Sequence, residues 1–503
     1  MGTVLKRTVR PWPQRPACFV KLSDGMILET GEVKRWSGLA ELETLLGLAQ
    51  EYQVEVMYVV GGWSAESSPS TEWFQAPENW ERVSYNRNPF VAVYKKSDGL
   101  RVTIHCTAQW FGSCDNASLC RKAYLRLRLL LRGVFDKDVT LMGTPARTGL
   151  DLIERSLKHD CVYEQVPDDV LEVVEHNIGQ GRMEMLPILP NVPQTQRLYV
   201  IDAVWMYASC CRRLPALPLK AHDSEDTFAE YDPAFYRVKF RVPVGWAHIG
   251  LLPTWHPKQH RTVYPWKPGD YEYEGFVNSY ELRLAREKGW DVRIEERWVF
   301  VDERSREADP LGTWVDKLRM LREKCTDERE RELGPLLRAA IRAILIKAIG
   351  SMHRKGRYEQ VETPVEEAES IPEGSEIIGR VGSSIRWKRA IPLHKSMMQF
   401  QHPEWSAYVW GIARHNLAKE ALKHPREAVV ALRSDALALA YDPGTEYEVV
   451  KKTSGVLGMM RPGMFRLKEV LELQGASLPT TNREYLDLRR ANRLVDEGEE
   501  EDV

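Results

Sequence analysis

No two of the eight cysteines (Cys18, Cys106, Cys114, Cys120, Cys161, Cys210, Cys211 and Cys325) are spaced as C-x-x-C. Paired C-x-x-C motifs are what a structural zinc site uses, so none is expected, and reduced thiols in a cytosolic setting are the default. They are expected as small core residues. No run approaches about 18 consecutive apolar residues, which argues against a transmembrane helix. The first residues, MGTVLKRTVRPWPQRPACF, are basic but lack the apolar stretch of a secretory signal. Lys6 stands where a myristoylation signal needs Ser or Thr. No internal repeat is evident.

What is there is ordinary for a soluble globular protein: 503 residues, 43% apolar and 28% charged. At roughly 150 residues per domain this predicts about three domains, large enough to bury a core without disulfide or metal staples.

A net charge of -2 is wrong for a nucleic-acid binder, but the average hides a distribution. Six of the last eight residues are acidic (Asp496, Glu497, Glu499, Glu500, Glu501 and Asp502), the pattern of a solvated tail. Two segments carry bases and no acid. Gly334 to Tyr358 holds Arg338, Arg342, Lys347, Arg354, Lys355 and Arg357. Ile377 to Pro403 holds Arg380, Arg386, Lys388, Arg389 and Lys395, with Trp387 and Phe400 among them. Backbone phosphates require such local footprints; the plain alternative is two basic surface faces.

Apolar periodicity predicts strands at Val54 to Val60 and Arg101 to Cys106, and helices at Leu39 to Tyr52, Ala117 to Arg132 and Thr148 to Lys158. Strands alternating with helices imply an α/β unit, bounded by the Pro-rich stretch Pro187 to Pro193. Beyond it, strands are predicted at Leu198 to Ile201, Phe235 to Pro243 and Val292 to Val301. Helices are predicted at Tyr280 to Lys288, Trp314 to Cys325, Pro335 to Ile349 and Glu404 to Leu422. Two strands, Ala428 to Leu432 and Leu437 to Tyr441, flank a tight break at Ser434-Asp435, and a last helix lies near Asn482 to Leu494.

Two carboxylates stand out by position. Asp202 closes the apolar strand LYVID, and Asp435 sits at the tip of the hairpin VVALRSDALAL. If these strands are neighbours, both carboxylates meet at one sheet edge. Their repulsion is relieved by a divalent cation, and oxygen ligands suit Mg²⁺. Two such ions can activate a hydroxyl and stabilise a leaving phosphate. Taken singly, each Asp is a turn or cap residue.

The segment YVIDAVWMYAS resembles motif A of family B DNA polymerases, a strand-end Asp followed five residues later by Tyr. VVALRSDALAL resembles motif C, with Ser434 and Asp435 in place of the Thr and second Asp of Asp-Thr-Asp, and Arg433 replacing the first Asp. RAILIKAIG resembles motif B, with Arg342 at the Lys position and Gly350 keeping the Gly; Ile346, Lys347 and Ile349 replace the Asn, Ser and Tyr. YEYEGFVNSYELRLAREKGWDVRIEERWVF is similar to the palm segment between motifs A and B in the small protein-primed branch of phage, plasmid and organellar polymerases, and WSAYVWGIARHNLAKEAL fits the helix before motif C. The resemblance runs from about residue 195 to 460, in the family's order.

The resemblance implies a right-hand α/β (α+β palm) fold: an RNase H-like exonuclease-type domain (1–190), palm with motif A (191–305), fingers (306–360), palm with motif C (361–455), and a small thumb with the acidic tail (456–503). It implies a DNA-directed DNA polymerase in the cytoplasm of a bacterium or phage-infected host. The alternative is a catalytically inactive, polymerase-derived nucleic-acid-binding protein. It makes Asp202, Ala203 (through its carbonyl) and Asp435 ligands of two Mg²⁺ ions, or Mn²⁺, with Asp202 and Asp435 catalytic. Tyr207, Arg338, Arg342 and Gly350 would meet the nucleotide, and Arg354, Lys355, Arg386, Lys388, Lys451 and Lys452 the DNA. Expected partners are primer–template DNA, dNTPs and a primer source such as a terminal protein; no membrane is expected. Tyr207 is alternatively a core tyrosine and Gly350 a helix C-cap. Arg433 would either intrude on metal space, since residues two apart on a strand share a face, or pair with a phosphate.

The exonuclease signature is missing. In CFVKLSDGM, Asp24 has Met26 two positions on, so Asp-x-Glu is absent, and neither Asn-x-x-x-Phe-Asp nor Tyr-x-x-x-Asp precedes Asp202. A scaffold or single-strand guide without nuclease activity is expected. Arg121, Lys122, Arg126, Arg128 and Arg132 fit a guide, or equally a solvated helix face.

Overall fold

Apolar runs near the N-terminus become the centre of a sheet. Its strands are β1 (Ala17–Lys21), β2 (Gly25–Leu28), β3 (Val33–Arg35), β4 (Val56–Val59), β5 (Trp80–Arg87), β6 (Phe90–Lys96) and β7 (Arg101–Cys106), in the order β3-β2-β1-β4-β7-β6-β5. β1 is parallel to β4, and β4 to β7; the other pairs are antiparallel. The central parallel strands β1 and β4 are buried along nearly their whole length, as near-continuous apolar runs require. Helices α1 (Leu42–Glu51), α2 (Ala108–Phe111), α3 (Ala117–Val134) and α4 (Pro145–Ser156) complete the segment.

In α3, Cys120, Ala123, Tyr124, Leu127 and Leu131 are buried, the three- and four-residue spacing of one helix face. Asn116 caps its first turn. The basic residues of α3 anchor neighbouring segments. Arg121 donates to the carbonyls of Leu28 (2.9 Å) and Glu29 (2.7 Å), Arg128 pairs with the Glu29 carboxylate, and Arg132 donates to Val139 O at 2.9 Å. Of the five bases expected either as a guide or as a solvated helix face, these three are engaged with the fold.

His105 on β7 stacks on Tyr58, and burial, with Arg147 and Arg15 adding to it, pulls its imidazole down to about 4. That lies below the ordinary value, so the folded form stays neutral where the unfolded chain takes a proton. The stabilisation is complete above about pH 6.5 and is lost as pH falls toward 4, by as much as about 3 kcal/mol. Denaturant unfolding at pH 7.5 and pH 5 is expected to show this loss. His105→Phe should flatten the acid limb; an unchanged slope would refute the assignment.

The next strands are β8 (Met183–Met185), β9 (Arg197–Ala203), β10 (Lys220–Asp223), β11 (Ala234–Arg241), β12 (Thr254–His256), β13 (Arg261–Val263), β14 (Tyr273–Asn278) and β15 (Asp291–Val299), with helices α5 (Met206–Cys211) and α6 (Ser279–Glu287). Strands β10-β15-β11-β14 form an antiparallel sheet and β12-β13 a hairpin. Asn278 and Glu281 form a reciprocal capping box at the start of α6.

Two helices follow, α7 (Gly312–Lys324) and α8 (Gly334–Met352). α8 approaches α4 closely: a Cβ at Gly149 would lie 2.6 Å from Ala348 Cβ and 2.8 Å from Ile344 O, so only glycine fits there. Residues 357–391, expected partly as palm, instead form a separate antiparallel sheet of β16 (Arg357–Pro364), β17 (Glu376–Val381) and β18 (Ser384–Ile391), ordered β16-β18-β17. Trp387 of β18 is buried and donates from its indole to Thr363 Oγ1 at 2.8 Å.

Last come α9 (Pro403–Ala421), the hairpin β19 (Val429–Arg433) and β20 (Ala436–Leu439), β21 (Phe465–Glu472) and α10 (Asn482–Glu499). β21 was expected in a thumb; it pairs with β9 and closes the sheet β21-β9-β20-β19-β8. One face of that sheet (Leu198, Val200, Ala431, Ala436, Ala438) packs with Tyr485 and Leu488 of α10.

The described residues are 14–61, 73, 75–87, 90–157, 173–174, 181–193, 195–215, 220–223, 233–256, 261–299, 309–325, 332–353, 357–381, 384–391, 402–447 and 463–499 of this computed structural model. They belong to two units, 1–157 with 316–401, and 158–315 with 402–503. Among them no helix is long and apolar enough to cross a membrane.

Candidate active site

Asp202 and Asp435 lie at one end of the five-stranded sheet. Asp202, 6% exposed, is the penultimate residue of β9, which breaks at Val204-Trp205 before α5 begins. Asp435 lies in the two-residue tip between β19 and β20. The Asp435 N–H donates to Arg433 O at 2.7 Å, a three-residue turn centred on Ser434, whose φ of +59° lies where glycine is favoured. Such strain costs on the order of 1 kcal/mol and persists because the surroundings impose it. Here the Ser434 N–H donates to Arg182 O (2.7 Å), and the Ala203 N–H donates to Asp435 O (2.8 Å). The main chain of Asp435 is thereby tied to the residue next to Asp202, which puts the two residues at the same end of the sheet.

Arg466, Asp202, Ala436 and Arg433 are successive cross-strand partners. Partners of this kind share one face of a sheet. Two strand spacings, about 9–10 Å, separate the backbones of Asp202 and Arg433. The Arg433 guanidinium turns to α10, where it donates to Asn482 Oδ1 and lies 4.6 Å over the Tyr485 ring. The guanidinium is thereby directed to α10 and away from the Asp202 carboxylate.

Different cations sit on Asp202. Arg466 Nε lies 3.2 Å from its Oδ1 and Lys468 Nζ 3.0 Å from its Oδ2. β21 is bulged between Leu467 and Glu469, leaving Lys468 as the extra residue beside Arg466. Sequence reasoning missed both residues. Their signal is the alternation in FRLKEVLE, where bases two apart flank an apolar residue.

The remaining candidates divide. Tyr207 on α5 is buried edge-to-face against Trp410 of α9, with ring centroids 4.7 Å apart. Ala203 is buried at the end of β9. Arg338 donates to Cys325 O (3.0 Å) at the end of α7, while Arg342 is exposed on α8. Gly350 is exposed within α8, which continues to Met352, so it is not a C-cap; a Cβ there would meet nothing within 4 Å. Arg386 is half-buried on β18. Glu362 lies opposite Arg386 in register, Glu359 opposite Arg389, and Glu376 opposite Lys388, so the acid-free segment has acids across the sheet. The side chain of Lys388, and Arg354, Lys355, Lys451 and Lys452 altogether, lie outside the described residues.

Burial pushes the thiols of Cys18, Cys210 and Cys211 up, which leaves them unsuited as nucleophiles. Among the described residues no three His, Cys, Asp or Glu side chains gather as a metal cluster.

No family model matches the chain, and no curated protein does. Solved structures do, and the fold they share with it is that of a DNA polymerase. Three of them are structures of Phi29 DNA polymerase. The post-translocation binary complex with primer-template DNA is 12% identical with a TM-score of 0.56, covering 91% of this chain and 85% of that one. The orthorhombic crystal form gives 12%, 0.57, 91% and 85%. The ternary complex with primer-template DNA and incoming nucleotides gives 11%, 0.56, 92% and 85%. At such identity the likeness is one of fold.

Proposed function

We propose that this chain is a template-directed DNA polymerase of family B type that adds dNTPs to a primer 3′ end, with palm, fingers and small thumb preceded in sequence by an RNase H-like domain. The observation that carries this reading is the main-chain bond from Ala203 to Asp435, which ties Asp435 beside Asp202 within a polymerase-like fold. The donors are of the kind that Mg²⁺ takes, and Asp202 already draws a cation to each oxygen. Asp202, Asp435 and the carbonyl of Ala203 would hold two Mg²⁺ ions, or Mn²⁺, which supply charge neutralisation and an activated primer hydroxyl.

The protein's part is positioning. Asp202 and Asp435 fix the reacting phosphate against the primer end. Tyr207 lies next to the strand end that carries Asp202 and is the proposed gate against a 2′-hydroxyl. Arg342, exposed on its helix, is the proposed triphosphate ligand, where a guanidinium fork holds phosphate bidentately. Primer–template DNA and dNTPs are the proposed partners, with a terminal protein or another primer source, in the cytoplasm of a bacterium or phage-infected host. Proofreading is proposed to be absent: β1 (ACFVK) holds no acid, and Asp24 lies in the turn after it.

A second reading, a polymerase-derived DNA-binding protein without catalysis, is favoured by one observation: the side-chain cations of β21 on Asp202. Primer extension with Mg²⁺ and dNTPs separates the two. The wild type is expected to extend, and Asp435→Asn to bind DNA without extending. If wild type and variant bind alike and neither extends, the second reading stands.

A further inference from the structure

Asp202 is one acid facing two bases, and the bases come from the strand beside it. Arg466 and Lys468 are each about one-third exposed, on long side chains with room to swing. The acid that follows them on β21, Glu469, is taken by Arg489 at 2.7 Å. A divalent cation on Asp202 would stand within a few ångströms of both bases, a repulsion that weakens its hold there.

We propose that Arg466 and Lys468 are displaceable counter-ions: they neutralise Asp202 in the free protein, and leave it for phosphate oxygens of the incoming nucleotide or primer. This rests on the polymerase reading. The carboxylate is thereby kept satisfied while the edge is without substrate. Phosphate then becomes the condition for metal capture, because only an anion of that kind draws both bases away. The Arg466 fork and the Lys468 ammonium are both phosphate-binding groups. Cation and phosphate binding are therefore coupled, each tightening the other by the same factor.

The test is equilibrium Mn²⁺ binding by the full chain, read as loss of the free Mn²⁺ resonance. Wild type, Lys468→Gln, Arg466→Gln/Lys468→Gln and Asp202→Asn are compared alone and with primer–template plus a non-hydrolysable nucleoside triphosphate. Wild type is expected to bind Mn²⁺ at least tenfold more tightly with DNA and nucleotide than alone. The double variant should bind tightly alone and lose that dependence. Lys468→Gln, a change at a part-exposed site, should fall between them and guards against a misfolded double variant. Asp202→Asn should bind poorly throughout. Equal Mn²⁺ affinity of wild type and both β21 variants, with Asp202→Asn still weaker, would overturn the counter-ion proposal and leave the polymerase reading standing. No effect of Asp202→Asn in any state would overturn both.

Discussion

Asp202→Asn is expected to lower primer extension by about a thousandfold or more, which corresponds to ~4 kcal/mol of lost transition-state stabilisation. DNA binding should survive. Asparagine keeps the shape of the side chain and an oxygen that accepts from Arg466, so β9 and its bonds to β21 stay in place. What it removes is one negative charge. Arg466 and Lys468, now without an ionic partner, become available to backbone phosphates. Binding of primer–template at low salt should therefore be at least as tight as in wild type, with a steeper dependence on salt. Extension assays alongside binding at several salt concentrations read the two effects separately. Loss of both together would mean that the substitution had disturbed the sheet, and extension at the wild-type rate would remove Asp202 from the reaction.

The convergence of Asp202 and Asp435 was legible because each signal is local. An apolar run ending in an acid gives a strand that stops at a sheet edge. Two apolar runs broken by Ser434-Asp435 give a hairpin whose tip must project. That the two strands pair was an assumption, and the order β9-β20 supplies it. Helices with strong periodicity fared equally well. The expected Ala117 to Arg132 is observed as Ala117–Val134, and Glu404 to Leu422 as Pro403–Ala421.

What escaped depends on partners distant in sequence. Arg433 is drawn to Asn482 and Tyr485, some fifty residues further along. The β21 cations reach Asp202 only through a particular register and a bulge, neither of which alternation alone reveals. Charge counting along the chain sees no cross-strand neighbours either. Arg121 and Arg128 of α3 turn to the carbonyls of Leu28 and Glu29 and the Glu29 carboxylate, and the acid-free segment around Trp387 has Glu362 and Glu376 opposite it in register.

The largest effect on stability is expected away from the carboxylates, at Arg414 and Glu281. Arg414 of α9 donates to both oxygens of Glu281 on α6, at 2.7 and 3.1 Å, and each side chain is 2% exposed. Glu281 is also the capping residue that accepts from the Asn278 N–H, and the Asn278 amide lies where a Cβ of residue 411 would be, so α9 has glycine there. Removing one partner of such a pair leaves a buried charge uncompensated, which costs about 3–5 kcal/mol. Arg414→Met alone and Glu281→Met alone should each lose stability on this scale in urea unfolding. The Glu281→Met variant should lose more, since the start of α6 forfeits its cap. The double variant should be far less destabilised than the two losses added, because apolar side chains of similar volume fill the space without a stranded charge. Strict additivity would show that the pair acts as two independent packing residues and that the ionic contact does not hold α9 against α6.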